Sequence, residues 1–117
     1  MISVAHRFHG YGSLRGVYQG GKNVRGSLVS LRFRSRGPNK PYRVAVVVSR
    51  KVNKSAVVRN RIRRRIYEVV RQSEASIEAG TDLVITVFDD KVAEIEAQKL
   101  QSAISELLQK ASSQPTK

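Results

Sequence analysis

Between Arg50 and Tyr67 the chain reads RKVNKSAVVRNRIRRRIY, and this stretch makes two demands at once. Its first sixteen residues hold eight Lys or Arg and no acid. Through the same residues, and just past them, run Val58, Ile62, Ile66, Val69 and Val70 at the spacing of one helix face. A charge run alone is a solvated tail. An apolar stripe threaded through it requires a core to receive it. Only a helix docked on its apolar side, with its basic side turned outward, meets both demands.

The wheel makes the division concrete. At 100° per residue from Val58, the apolar positions fall within about 120° of one another. Asn60, Arg63, Arg64, Tyr67 and Arg71 lie on the opposite side. Arg59 and Arg65 flank the stripe. Arg59 and Arg61 stand about 160° apart and do not share one flat contact. The helix is expected from about Ser55 to Ser73, after a basic loop from Lys51 to Lys54.

The rest of the chain supplies the core. Its 117 residues suit one domain, with residues 112–117 expected to fray. Ser13 can cap a short helix, SLRGVYQ, with Leu14, Val17 and Tyr18 on its apolar edge and Gly20-Gly21 at its end. LVSLRF (28–33) alternates and reads as a half-buried strand. RVAVVVS (43–49) is apolar from Val44 to Val48 and reads as a central strand covered on both faces. The short turn between these two predicts that they pair antiparallel. LVITVF (83–88) reads as a second buried strand, parallel to 43–49, because the basic helix joins the two. Asp89 or Asp90 is placed to cap a last helix with the stripe Leu100, Ala103, Ile104, Leu107, Leu108, Ala111. A further short strand fits around Asn23 to Gly26. The predicted fold is α+β, in the order α-β-β-(β)-α-β-α, one sheet with helices packed on it.

Charge then bounds the partner. The formal net charge is +13. Residues 1–71 hold 18 Lys or Arg and one acid, Glu68, a local +17; residues 72–117 hold four against eight acids, a local −4. Positive charge confined to one part of a chain is the footprint of a polyanion binder, with nucleic acid first. No apolar run approaches the ~20 residues of a membrane span, and the N-terminus lacks a signal-peptide core. A cytoplasmic protein without a membrane partner is expected.

The chemistry available to side chains is thin. With no cysteine there is no thiolate metal site, no disulfide and no cysteine nucleophile. His6 and His9 are three apart, but no third metal ligand stands near in sequence. There is no Walker A loop and no GxGxxG, so neither a small-molecule cofactor nor nucleotide hydrolysis is expected. No catalytic residue and no protein metal site is expected. Arginines, by contrast, pair with phosphate and stack on bases, and Tyr11, Tyr18, Phe33, Tyr42 and Tyr67 offer rings beside them.

SRKVNKSAVVRNRIRRR (49–65), preceded by RVAVVVS, closely resembles the signature of the bacterial ribonuclease P protein family. The likeness extends more weakly to Leu14-x-x-Val17-Tyr18-x-x-Gly21-Lys22 and to LVITVF with the last helix. The resemblance implies a left-handed βαβ crossover carrying the basic helix. It implies binding to a catalytic RNA subunit and to the 5′ leader of precursor tRNA, with Mg²⁺ held mainly by the RNA that does the cleavage. Carried onto this chain, Arg59, Asn60, Arg61, Arg63 and Arg64 match the motif that contacts the catalytic RNA. Arg50, Lys51 and Lys54 match the loop before it, and Tyr67 joins the outward face. Tyr18 matches an aromatic of the leader cleft, with Leu31 or Phe33 on the strand lining it. Leu14 departs from the aromatic the family often has there, and the Gly-rich N-terminus lacks the usual basic cluster. A ribosomal or ribosome-associated RNA-binding protein is the alternative. A DNA-groove reader fits less well, because no second helix precedes 55–73 at helix-turn-helix spacing.

Overall fold

The structure is a computed structural model that describes residues 17, 20–35, 37 and 41–113. Four strands form one mixed sheet: β1 (Lys22–Arg25), β2 (Val29–Ser35), β3 (Arg43–Val47) and β4 (Thr81–Val87). Two longer helices accompany it among the described residues, α1 (Ala56–Gln72) and α2 (Ala97–Ser113). Short 3-10 turns follow α1 at Glu74–Ser76 and β4 at Asp90–Ala93. Of the expected first helix only Val17 lies among the described residues. It is fully buried, and its carbonyl accepts from Gly21 N at 2.7 Å. His6, His9, Tyr11, Leu14 and Tyr18 lie outside them.

The strand order is β1-β2-β4-β3, and it corrects the expected pairing. β2 pairs antiparallel with β4, not with β3. β3 pairs parallel with β4 on the far side, across the α1 crossover, as expected. The reason lies in which strand has apolar residues for both faces. In β4, Leu83, Ile85 and Val87 are buried on one face and Val84 on the other, so β4 takes the centre. In β3, Val44 and Val46 are buried while Ala45 and Val47 are only half-buried. It is therefore an edge strand covered mainly on one side, despite its unbroken apolar run. The Tyr67 hydroxyl covers its outer rim by accepting from Val46 N at 3.4 Å.

The parallel pairing of β3 and β4 is pinned at one end by charge. Arg43 donates from Nε to Asp82 Oδ1 at 2.9 Å and from Nη2 to Oδ2 at 2.8 Å. Asp82 is fully buried, so this bidentate pair keeps its carboxylate solvated by protein. Just before it, Gly80 has φ +80°, and a Cβ there would lie 1.7 Å from Gly37 O. Only glycine lets the chain enter β4 so close to that neighbour.

One face of the sheet packs on both helices. Val24, Val29, Leu31, Phe33, Val44, Val46, Leu83, Ile85 and Val87 meet Ile62, Ile66, Val69 and Val70 of α1 and Leu100, Ile104, Leu107 and Leu108 of α2. The stripe of α1 is thus the one its spacing predicts. Its ends are set by serines: Ser55 Oγ accepts from Val58 N at 3.3 Å, and Ser73 N donates to Val69 O and Val70 O. Asp89 caps the 3-10 turn through Lys91 N at 2.9 Å, rather than α2, which begins only at Ala97. The C-terminal helix runs through Ser113.

Tyr42, considered above as a stacking ring, is buried in this core and bonds Glu74 Oε1. Burial first, then the hydrogen bond and charge of Glu74, push its phenol well above the ordinary tyrosine value.

Ile62 and Ile66 are the fully buried centre of the α1 contact. Ile62→Ala or Ile66→Ala is expected to cost about 2–5 kcal/mol through the cavity left behind, read as a lower urea midpoint at unchanged slope.

Candidate nucleic-acid interface

Because Ile62, Ile66, Val69 and Val70 fix the rotation of α1, every other side chain on it has an assigned direction. Asn60, Arg61 and Arg64 are exposed. Arg63 is half-exposed, and its Nη2 donates to Asn60 Oδ1 at 2.8 Å, one turn back, which orients it. Val57, Asn60, Arg63, Arg64 and Tyr67 line a shallow groove of about 460 Å³ on the outer side. Val57 is 67% exposed, so this groove has an apolar patch among its polar groups. Arg61, Arg64 and Arg65 line a second groove of about 440 Å³, with Val69, Ala97 and Leu100 between α1 and α2. Arg64 stands on the crest between the two. Among the described residues, the guanidinium groups of Arg61 and Arg64 make no hydrogen bond and no ion pair.

The loop before α1 carries the other cations. Arg50, Lys51 and Lys54 are exposed, and Val52 between them is half-buried against the core. The loop is therefore held down at its middle while its charges face outward.

Not every arginine of the run is available in this way. Arg59 sends Nη1 to Asn53 O at 3.0 Å and to Lys54 O at 2.9 Å, so it clamps the loop backbone. Arg65 donates from Nη1 to Val92 O at 2.7 Å and from Nη2 to Ile95 O. It staples α1 to the segment leading into α2. The flanking positions on the wheel thus face neighbouring backbone, while positions further round face solvent. Tyr67 is half-buried and leans back on the β3 edge, so it is less outward than its wheel angle predicts.

The helix's single acid does not interrupt this surface. Glu68 accepts from Arg71 Nε at 3.1 Å and from Nη2. That hydrogen bond holds its carboxyl below the ordinary glutamate value and raises Arg71. Both groups are exposed, so the pair adds little to stability.

Leu31 and Phe33 face the helices. They are 1% and 2% exposed, within the helix-side core. Strand side chains alternate, so the residues between them take the opposite face. Register places Asn23, Arg25, Ser30, Arg32, Arg34, Arg43, Ala45, Val47, Asp82, Val84 and Thr86 there together. The Gly20–Gly21 backbone lies against this face: a Cβ at Gly20 would sit 3.6 Å from Arg34 Cδ, and one at Gly21 3.3 Å from Arg32 Cγ. Val17 and Val84 are both fully buried outside the helix-side cluster. The arginines of this face were legible in the alternation of LVSLRF, where Ser30 and Arg32 occupy the off-positions.

A basic α+β domain with a helix anchored from beneath, and with arginines on its outer surface, belongs to the class of polyanion-binding proteins. Comparison with known proteins narrows this. A family model for ribonuclease P matches residues 3–112. The ribonuclease P protein component of Synechococcus sp. (strain JA-2-3B'a(2-13)) is 31% identical over 114 residues, covering 95% of this chain and 85% of that protein. The ribonuclease P protein component of Cyanothece sp. (strain PCC 7425 / ATCC 29141) is 30% identical and covers 95% of each chain. The solved ribonuclease P protein of Staphylococcus aureus superposes with a TM-score of 0.78 over 92% of this chain and 95% of that one, at 21% identity. That of Thermotoga maritima gives 0.72 over 83% and 89%, at 22% identity. At such identities these two superpositions speak to the fold. The chain belongs to the ribonuclease P protein family. It is accordingly a subunit of a ribonuclease with an RNA partner, and this reading is favoured over a ribosomal protein. Among the described residues no helix is long and apolar enough to cross a membrane.

The two classes of arginine predict opposite outcomes in urea denaturation. Arg65→Ala removes a charged donor from two carbonyls and should cost about 1–3 kcal/mol. Arg64→Ala should change stability by less than about 0.5 kcal/mol.

Proposed function

We propose that this protein docks the outer side of α1 and the Arg50–Lys54 loop on the catalytic RNA of ribonuclease P, and that the RNA then removes the 5′ leader of precursor tRNA. The observation that carries the reading is the rotation of α1. Its apolar stripe is spent on the sheet, which leaves Asn60, Arg61, Arg63 and Arg64 turned outward, while Glu68, which lines the groove beside Arg61 and Arg64, is held by Arg71. Arginine forks match phosphate oxygens, and the Val57 and Tyr67 surface beside them suits a base or ribose edge.

The single-stranded leader lies, in this reading, on the sheet face opposite the helices. Ser30, Arg32, Ala45, Val47 and Thr86 share that face, which offers small and apolar side chains beside an arginine. Leu31 and Phe33 support it from the other side. Tyr18 keeps its proposed part in the cleft by family resemblance.

Bond cleavage belongs to the RNA. The described acids nearest the basic surface already have partners within the protein. Glu68 holds Arg71, Asp82 holds Arg43, Asp89 caps a turn and Asp90 accepts from Asn53. Among the described residues no group of three His, Cys, Asp or Glu could hold a metal ion. In this reading Mg²⁺ is held by the RNA. The protein contributes positive charge and position, which lowers the cost of bringing polyanions and metal ions together.

Reconstitution tests this. The protein alone should not cleave precursor tRNA, and adding it to a bacterial ribonuclease P RNA should restore 5′ processing at low Mg²⁺. If it leaves the RNA's activity and Mg²⁺ dependence unchanged, the reading fails. In the same assay Arg64→Ala should flatten the plot of log affinity against log salt by roughly 0.7–0.9, as expected for the loss of one phosphate contact.

A further inference from the structure

Asp90 stands at the border of the basic surface, where an acid ought to repel RNA. Its geometry gives it another part. Asp90 Oδ2 accepts from Asn53 Nδ2 at 3.0 Å, across 37 residues of sequence. The other end of the same amide, Asn53 Oδ1, accepts from Ser55 N at 2.8 Å. Ser55 is the N-cap of α1. The carbonyls of Asn53 and Lys54 are in turn held by Arg59 Nη1. Val52 N donates to Ser49 O at 3.1 Å, and the Val52 side chain rests on the core. The loop that presents Arg50, Lys51 and Lys54 is thus tied at four places: the core, its own turn, the start of α1, and the Asp90–Ala93 turn after β4.

We propose that Asp90, acting through Asn53, is a positioning residue for the Arg50–Lys54 loop, so that an acid at the edge of the interface raises affinity for RNA. The inference rests on the RNA-binding reading above and adds a part that nothing in the basic motif contains. Two effects compete at this position. The charge of one exposed acid about a Debye length (~8 Å) from a phosphate weakens binding by no more than about twofold. A loop released from its tie must be ordered again when RNA binds, and fixing even one residue offsets about tenfold in affinity. Positioning therefore outweighs repulsion. Arg59 belongs to the same device, since its guanidinium faces the loop backbone rather than solvent.

Asp90→Ala and Asp90→Asn separate charge from tie. Both remove the negative charge, but an asparagine oxygen can still accept from Asn53. Asp90→Ala should bind a bacterial ribonuclease P RNA about 3- to 10-fold more weakly than wild type, with a shallower salt dependence. Asp90→Asn should bind at least as tightly as wild type. In the free protein, amide hydrogen exchange at Val52 and Ser55 should quicken in Asp90→Ala and not in Asp90→Asn, with the thermal midpoint little changed in both. The inference is overturned if Asp90→Ala binds as tightly as wild type or tighter, if both variants weaken equally, or if exchange at Val52 and Ser55 is the same in all three proteins. Absence of RNA binding by the wild type would instead defeat the RNA-binding reading, and the exchange measurement still decides whether Asp90 holds the loop.

Discussion

The contact of Ile62, Ile66, Val69 and Val70 with the helix-side face of the sheet governs everything else described here. A helix has one free rotation about its axis, and burying this stripe removes it. Once the rotation is fixed, a run of arginines that looks uniform in the sequence becomes a set with different tasks. Arg61, Arg63 and Arg64 turn outward. Arg59 meets the loop before the helix, and Arg65 meets the segment after β4. The apolar contact is thus what converts net charge into a shaped surface.

The same logic applies to the sheet. β4 is buried on both faces and must lie between partners, which sends β2 to one side and β3 to the other. That order puts the start of α1 next to the turn after β4, and so lets Asn53 reach Asp90 and Arg65 reach Val92. It also leaves a second sheet face, with Arg32 and Arg34, directed away from the helices. Two arginine-bearing surfaces follow from one sheet order: the outer side of α1 with its loop, and the face opposite the helices.

Much of this was legible in the sequence because it depends on local chemistry. Ser55 and Ser73 bound the basic helix where its pattern predicts, and the stripes of both helices are as their spacing implies. What was not legible depends on partners distant in the chain. Val44 to Val48 reads as a central strand by its apolar run, yet central position depends on which strand has partners for both faces, and β4 has the stronger claim. The short connection between β2 and β3 suggested a hairpin, while β4, far along the chain, takes the position between them. Leu31 and Phe33 were placed on the cleft strand by family resemblance, whereas register turns them to the helix side and puts Ser30 and Arg32 on the opposite face. Charge type alone could not separate Arg59 and Arg65 from Arg61 and Arg64. Their positions flanking the apolar stripe were the available signal.

The central claim is that helix rotation sorts these arginines into outward and inward sets. Arginine side-chain Nε resonances, followed by NMR while a bacterial ribonuclease P RNA is titrated in, test it directly. Resonances of Arg61, Arg63 and Arg64 should move with the RNA, and that of Arg65 should stay where it is in the free protein. Movement of Arg65 with Arg61 and Arg64 unmoved would contradict the account.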